Sequence, residues 1–395
     1  MRIAVVMDTK ISAGGGFNQA LSAVQQSLRV LGLDHDVHVA VFDEGNQRHL
    51  RRLGVAAKVL PFTKADRALC RMRSLGADWV LDAKLRWRTP FESALQQHGI
   101  DLVYFVTPSQ KVQALTDTNY VLTIWDNCHR DEVAFPEVRA NGVFGSRENY
   151  MKHSLPQAFG IITESRELGD ALAARYGLDA NRVVAMPTAP GPLLNGPGSA
   201  SPAWVRDSYD IRSPFVYYPA QLWAHKNHVH VLQALAVLRE RGVEISLVSS
   251  GGDFGNGDYL REVAKRLHVA DKVRFLGFVP PEHVGGLYGA STAVVMPTFF
   301  GPTNIPPLEA WSLGKPLIYS KQFSSQVGEA AILVDPCSSQ DIAEAIESVM
   351  RPEVAELLVR EGFRRLARID EERTLAEKEL STLVNAFAGR RACWK

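Results

Sequence analysis

Phe299-Phe300-Gly301-Pro302-Thr303-Asn304-Ile305-Pro306-Pro307-Leu308-Glu309-Ala310-Trp311 directly follows Ala293 to Met296, an apolar run of strand length. The order is strand, small polar loop, helix, with a carboxylate near the helix start. Gly301, Thr303 and Asn304 offer unhindered backbone N–H groups and short side-chain donors, which suit a phosphate at a helix N-terminus. Glu309 would repel phosphate, and its carboxylate is better matched to the two hydroxyls of a ribose. The other reading is that Glu309 caps the helix, favoured by the helix dipole.

The same unit occurs twice more. Ile3 to Met7 is a continuous apolar run; Gly14-Gly15-Gly16 follows, and Phe17, Leu21, Val24, Leu28 and Leu31 then form one helical stripe. These glycines would let backbone approach a diphosphate or sugar closely, although their spacing is not the dinucleotide fingerprint and a turn without function has the same pattern. Phe215 to Tyr218 reads as a buried strand, the polar loop Gln221 to His228 follows, and Val231, Leu235 and Leu238 make the next stripe. Lys226 therefore falls where strand gives way to helix, as a partner for a diphosphate or as a solvated charge.

Strands alternating with helical stripes predict an α/β architecture with parallel sheets, whose ligands sit at the carboxyl ends of the strands. A chain of 395 residues is long enough for two cores. The segment from Pro187 to Pro202, rich in Pro and Gly, has the composition of the linker between them. With 46% hydrophobic residues and a formal net charge of +1, the composition excludes a nucleic-acid binder that works by net charge. Cys70, Cys128, Cys337 and Cys393 are widely spaced and read as reduced thiols. The cysteines and histidines show no zinc-like ligand spacing, so no metal site is expected. No apolar run of about 18 residues is present, and Met1-Arg2-Ile3 leads straight into a strand; a cytoplasmic protein is the expectation.

Together these segments resemble the retaining nucleotide-sugar glycosyltransferases of glycosyltransferase family 4, over nearly the whole chain. That family's glycine-rich loop after the first strand matches Gly14 to Gly16, its lysine matches Lys226-Asn227, and its Pro-x-Leu-Glu-Ala signature matches Pro306 to Ala310. Val273 to Val279 and Leu287-Tyr288 look like the strand and helix before that signature. Trp125-Asp126-Asn127-Cys128-His129-Arg130-Asp131 and Phe135-Pro136-Glu137 resemble its Asp-x-x-His loop and Phe-Pro-Glu.

The resemblance implies the GT-B fold, two doubly wound Rossmann-like domains facing across a cleft: residues 1–195 for the acceptor, 203–370 for the nucleotide sugar, and a helix in 371–395 returning to the first domain. It implies catalytic roles for Lys226, Glu309, Asp126 and His129. Donor contacts would come from Gly15, Gly16, Gln221, His225, Asn227, Gly251, Phe278, Thr303, Asn304 and Ile305, and acceptor contacts from Asp126, Asn127, His129 and Arg130. Thr107-Pro108-Ser109-Gln110 would line the same cleft. The implied reaction is metal-independent hexosyl transfer with a nucleotide sugar as co-substrate and no cofactor. GDP-mannose is the leading donor and a bacterial-type surface glycan, lipid-linked or free, the acceptor.

Two positions depart from the family pattern. The arginine expected five residues before the lysine is Gln221, and the glutamate expected eight residues before the second glutamate is Gly301. The first leaves Lys226 as the main diphosphate cation, helped by His225 or His228; the second leaves Thr303 and Asn304 to approach the donor sugar. The alternatives are a UDP- or dTDP-sugar enzyme, or a noncatalytic sugar-nucleotide-binding subunit of a glycan assembly complex. Between Lys64 and Arg88, seven basic residues (Lys64, Arg67, Arg71, Arg73, Lys84, Arg86, Arg88) interleave with Leu69, Met72, Trp79, Leu85 and Trp87. Such a face suits peripheral contact with anionic lipid at the inner face of the cytoplasmic membrane, or a solvated helix whose arginine stems cover core.

Overall fold

Strands buried on both faces lose the alternation of half-buried ones and read as unbroken apolar runs. The computed structural model, which describes residues 1–9, 15–74, 88–191, 200–301 and 305–394, arranges these runs in two parallel sheets. Gly14, Thr303, Asn304, the segment holding Trp79, Lys84, Leu85, Arg86 and Trp87, and the middle of the Pro/Gly-rich stretch lie outside the described residues.

The chain divides into two compact units. The first comprises residues 1–133, 138–188 and 371–395, and the second residues 134–137 and 189–370. In the first, β1 (Arg2–Val6), β2 (Asp36–Val41), β3 (Ala57–Val59), β4 (Leu102–Phe105), β5 (Asn119–Ile124), β6 (Gly160–Thr163) and β7 (Val183–Ala185) form a sheet ordered β3-β2-β1-β4-β5-β6-β7. In the second, β8 (Phe215–Pro219), β9 (Ser246–Ser250), β10 (Val273–Phe275), β11 (Ala293–Met296), β12 (Leu317–Ser320) and β13 (Ile332–Val334) are ordered β10-β9-β8-β11-β12-β13.

This second order is that of the doubly wound nucleotide-binding sheet. Its topological switch point lies between β8 and β11, which pair directly with Ala293 opposite Val216 and Val294 opposite Tyr217. The chain leaves these two strands toward opposite sides, so their following loops part and open a crevice at the carboxyl edge. The first unit has its switch point between β1 and β4.

The helix Pro352–Arg391 spans the division at residue 371. Its later part enters the first unit's core: Ala376, Leu380, Val384 and Phe387 are buried with Ile3, Val5, Leu21 and Val24. Gly160 in β6 permits this close approach, because a Cβ there would stand 2.4 Å from Leu383 Cδ2.

Part of the basic segment behaves differently from a lipid-facing surface. In the helix Lys64–Ser74, Arg73 is buried and its guanidinium donates to the carbonyls of Gln113 and Leu115, at 2.5 and 2.7 Å. Arg73 is thus an interior tie between chain segments, whereas Lys64, Arg67 and Arg71 remain exposed. Among the described residues no helix is long and apolar enough to cross a membrane.

If the last helix is an integral part of the first unit's core, Leu380→Ala leaves a cavity there. We expect a loss of about 2–5 kcal/mol, read as a lower urea midpoint for the first unit's unfolding. An unchanged midpoint would show that this helix contributes no core packing.

Candidate functional site

At the carboxyl edge of the second sheet, the loop after β8 turns sharply. Lys226 ends a single 3-10 turn, Ala224–Lys226, and Asn227 takes a left-handed conformation at φ 61° before the helix His228–Glu240 begins. Asparagine tolerates this region better than most residues. The buried Asn227 amide donates to Pro297 O at 2.8 Å and to Pro336 O at 2.6 Å, and its oxygen bonds the His230 ring. One side chain therefore ties together the loops after β8, β11 and β13. Lys226 is half-buried, directly before this tie, and its carbonyl accepts from the Tyr218 hydroxyl.

The loops after β8, β9 and β10 are also joined through backbone. Gly251 donates to Gly277 O at 2.8 Å, and Leu222 donates to Gly252 O at 3.0 Å. Gly251 has φ 142°, and a Cβ there would lie 2.5 Å from the Ala220 carbonyl, so only glycine fits. Gln221, which stands in the place of the family's arginine, accepts from the Trp223 indole at 2.8 Å. Trp223 stacks on Phe254 with centroids 4.3 Å apart. Phe254 and Phe278 are exposed, the latter at 66%, so this edge presents open aromatic faces.

His225 is differently placed from a free cation. Its backbone N–H donates to Glu137 Oε1 at 2.8 Å, its ring bonds the same carboxylate oxygen, and the ring stacks on Phe300 at 3.7 Å. Phe135 packs on Phe299 and Phe300 beside it, with centroids 5.2 and 5.6 Å apart. Residues 134–137, part of the Phe-Pro-Glu motif, thus belong to the second unit although they come from the chain's first half. His228 cannot serve as the second cation that the sequence suggested. Burial, then the charges of Lys226 and His225, push its pKa down to about 3, and the ring lies stacked on Tyr218 with Ser249 at 3.3 Å.

Glu309 is the fifth residue of the helix Ile305–Ser312, which Ile305 opens with its side chain buried. It lies one turn inside, not at the cap. Its carboxylate is 7% exposed, and Oε2 accepts from the Tyr288 hydroxyl at 2.6 Å. Burial raises its pKa to about 7, against the opposing effect of the Tyr288 hydrogen bond. The sequence marked Tyr288 only as part of the helix before the signature and gave it no site role, since the two residues stand 21 positions apart on different helices.

The first unit presents its own polar edge. The helix Gly15–Leu31 begins with Gly15 and Gly16, whose N–H groups precede any intrahelical partner; a Cβ on Gly16 would sit 3.5 Å from the Trp125 ring. Ser109, in the loop after β4, donates to Asp8 at 2.5 Å across the switch point, and Lys111 pairs with the same carboxylate. Asp126 is 30% exposed and paired with Arg147. Burial raises its carboxyl, but the Arg147 charge and the Cys128 N–H outweigh that and hold it below the usual range.

His129 is wholly buried, with Nε2 3.2 Å from Glu148 Oε2. Burial, then the Arg147 charge, lowers its pKa, so the ring is neutral. Nε2 then carries the proton toward the carboxylate, and Nδ1, buried without a partner, is an acceptor. Arg130 pairs with Glu148 and lies over the Tyr176 ring at 5.1 Å. Glu148 also accepts from Tyr176 at 3.1 Å, and these bonds, Arg130's first, hold it down at about 2. Arg130 is therefore a structural partner more than an open ligand contact. Asn127 is buried, and its Nδ2 has no partner.

Similarity to known proteins accords with the chemistry of these edges. Residues 206–363, all within the second unit, match the family described as Glycosyl transferases group 1. A D-inositol 3-phosphate glycosyltransferase of Rhodococcus jostii is 30% identical over 202 residues, covering 48% of this chain and 44% of that protein. The O-antigen chain mannosyltransferase B of Escherichia coli is 28% identical over 200 residues, covering 48% and 52%. The matched stretch thus spans about half the length of these relatives. The crystal structure of Anabaena Alr3699/HepE in complex with UDP aligns at a TM-score of 0.68 and 18% identity, covering 98% of this chain and 100% of that one, and the shared fold is GT-B.

The placement of Glu309 has a consequence for stability. Its carboxyl ionises near pH 7 when folded but near the ordinary 4.5 when unfolded. The unfolded chain therefore loses this proton first, and stability falls as pH rises from about 4.5 to about 7. Glu309→Gln lacks that loss, so its advantage over the wild type should grow through this window by up to about 3 kcal/mol. Urea midpoints of both proteins at a series of pH values measure it; a difference that stays constant with pH would contradict the buried placement.

Proposed function

We propose that this chain is a retaining, metal-independent glycosyltransferase that moves a hexose from a nucleoside diphosphate sugar to a saccharide acceptor. The observation that carries the proposal is the pairing of Lys226 and Glu309 with the two loops of the β8/β11 switch point, in the unit that matches the group 1 glycosyltransferases. Cleaving the sugar–diphosphate bond gathers negative charge on the leaving diphosphate, which fixed cations and N–H dipoles stabilise best. Lys226 and backbone N–H groups at the helix starts after β8 and β11 have that character. Glu309, half ionised near neutral pH, suits the hydroxyl pair of a ribose, and the aromatic faces of Phe254 and Phe278 suit a base.

Transfer of mannose from GDP-mannose is the leading form of the proposal, supported by likeness to the O-antigen mannosyltransferase. A UDP-sugar reaction is the second form, motivated by the UDP complex of the Anabaena protein. On the acceptor side, Asp126 and the unpartnered Asn127 Nδ2 and His129 Nδ1 suit sugar hydroxyls, two donors or acceptors that a ligand would satisfy.

The test is nucleotide release from GDP-mannose, UDP-glucose and dTDP-glucose without acceptor, after a thermal-shift screen against GDP, UDP, dTDP and ADP. One nucleotide should raise the melting temperature, and Lys226→Ala should slow release from its sugar by about 10²–10³-fold. Binding with no release would indicate a noncatalytic sugar-nucleotide-binding subunit. No binding of any nucleotide would remove the proposal.

Hydrogen bonds from a ribose favour the charged form of Glu309, so binding should release its remaining proton. At pH 7 that amounts to about half a proton per site, measurable by calorimetry in buffers of different ionisation enthalpy. Glu309→Gln should abolish the release; proton uptake in the wild type would argue against contact between Glu309 and the ligand.

A further inference from the structure

Glu164 directly follows β6 and is not the cap of the helix after it. Ser165 caps the next helix, Arg166–Tyr176, by accepting from Leu168 N. Glu164 itself is 6% exposed, and neither carboxylate oxygen has a hydrogen-bond partner. A buried polar group left unpaired is costly, so its retention calls for a physical reason.

The surroundings supply one. Strand register sets Ile124 of β5 and Ala185 of β7 opposite Thr163, which puts Trp125 and Met186 level with Glu164 and Asp126, Asn127 and Thr188 one or two residues beyond. On the β5 side stand Asp126 and Asn127, whose Nδ2 is buried and unpartnered. On the β7 side stands Thr188, which accepts from Gln19 of the helix Gly15–Leu31 at 3.4 Å. Burial pushes the Glu164 carboxyl well above the carboxylate range, the Thr188 hydroxyl draws it part of the way back, and the Asp126 charge raises it again.

The charge balance selects the ligand. Asp126 is already paired with Arg147, and burial pushes the Glu164 carboxyl up, so this edge has little surplus negative charge to hold a cation. Among these described residues the cation is Arg147, already paired with Asp126, which does not favour a phosphate. A neutral carboxyl gives one hydrogen bond and accepts others, an amide N–H donates, and a hydroxyl does both. That set complements vicinal hydroxyls, each of which is donor and acceptor at once.

We propose that Glu164, with Asn127 and Thr188, forms a binding site for adjacent hydroxyls of a neutral sugar ring. The inference rests on the glycosyltransferase reading and names the chemistry of its hydroxyl-binding side. The ring is that of the acceptor or that of the donor sugar, and two arms of the experiment separate these sources.

In the first arm, saturation-transfer NMR reads binding of methyl α-D-mannopyranoside and methyl α-D-glucopyranoside to the full chain. In the second, calorimetry compares GDP-mannose with GDP and UDP-glucose with UDP. Wild type and Glu164→Gln, which keeps a donor and an acceptor, should behave alike. Glu164→Leu should weaken binding at least tenfold, in the first arm if the acceptor is held and in the second, as a lost sugar-dependent increment, if the donor is. Thr188→Val should weaken the same arm and keeps the test decisive if Glu164→Leu does not fold.

Equal binding by wild type and the folded Leu and Val variants in both arms overturns the site, as does absence of sugar-dependent binding in the wild type. If GDP and UDP bind while that happens, the glycosyltransferase reading survives without this site. If glycosides bind through Glu164 but no nucleotide binds, the site stands and that reading falls.

Discussion

The parting of the chain at neighbouring strands β8 and β11 is the constraint on which the candidate donor site depends. Because the connections leave toward opposite faces of the sheet, the loops at the carboxyl edge part there and need another way to keep their shape. Asn227 provides it: a left-handed residue whose amide reaches the carbonyls of Pro297 and Pro336. The lysine beside it is thereby fixed at its backbone, so that an ammonium on a flexible stem starts from a rigid origin. Substituting a residue intolerant of positive φ at this point would loosen three loops at once.

A second layer of support comes from far along the chain. His225 is gripped through both its backbone N–H and its ring by Glu137, 88 residues earlier, while Phe135 packs on Phe299 and Phe300. These contacts brace the loop after β8 against the loop after β11. They give the aromatic run Phe299-Phe300, puzzling beside a polar loop, a packing role that does not need a ligand.

What could be read from the amino acids alone follows from this architecture. Lys226, Asn227, Gly251 and Glu309 were accessible because each lies where an apolar run ends and a helical stripe begins, a local pattern. Their partners were not. Tyr288 and Glu137 meet Glu309 and His225 only through sheet order, and no spacing along the chain encodes that. Burial was equally hidden: His228 and Arg73 look like surface cations in sequence, yet one is a neutral ring stacked on Tyr218 and the other ties interior carbonyls. Glu164 had a usable signal, a charged residue between the buried strand Gly160–Thr163 and its helix cap, the same kind of position that Asp126 occupies after β5.

The two buried carboxyls show how burial and partners divide one chemical group into two tools. Glu309 receives a hydrogen bond from Tyr288, which keeps its ionisation within reach of neutral pH despite burial. A ligand that brings two more donors can complete the ionisation, and the resulting carboxylate accepts from both. At Glu164 burial is reinforced by the Asp126 charge and the Thr188 hydroxyl offsets it only in part, so the carboxyl lies well above the carboxylate range. A protonated carboxyl is no longer a trap for cations but a donor and acceptor in one plane. The first environment fits a diol that gives both its hydrogens; the second fits one that gives a hydrogen and takes one. The difference comes from which hydroxyl and which charge stand beside each carboxyl, Tyr288 at one and Thr188 with Asp126 at the other, set in place by the order of the strands.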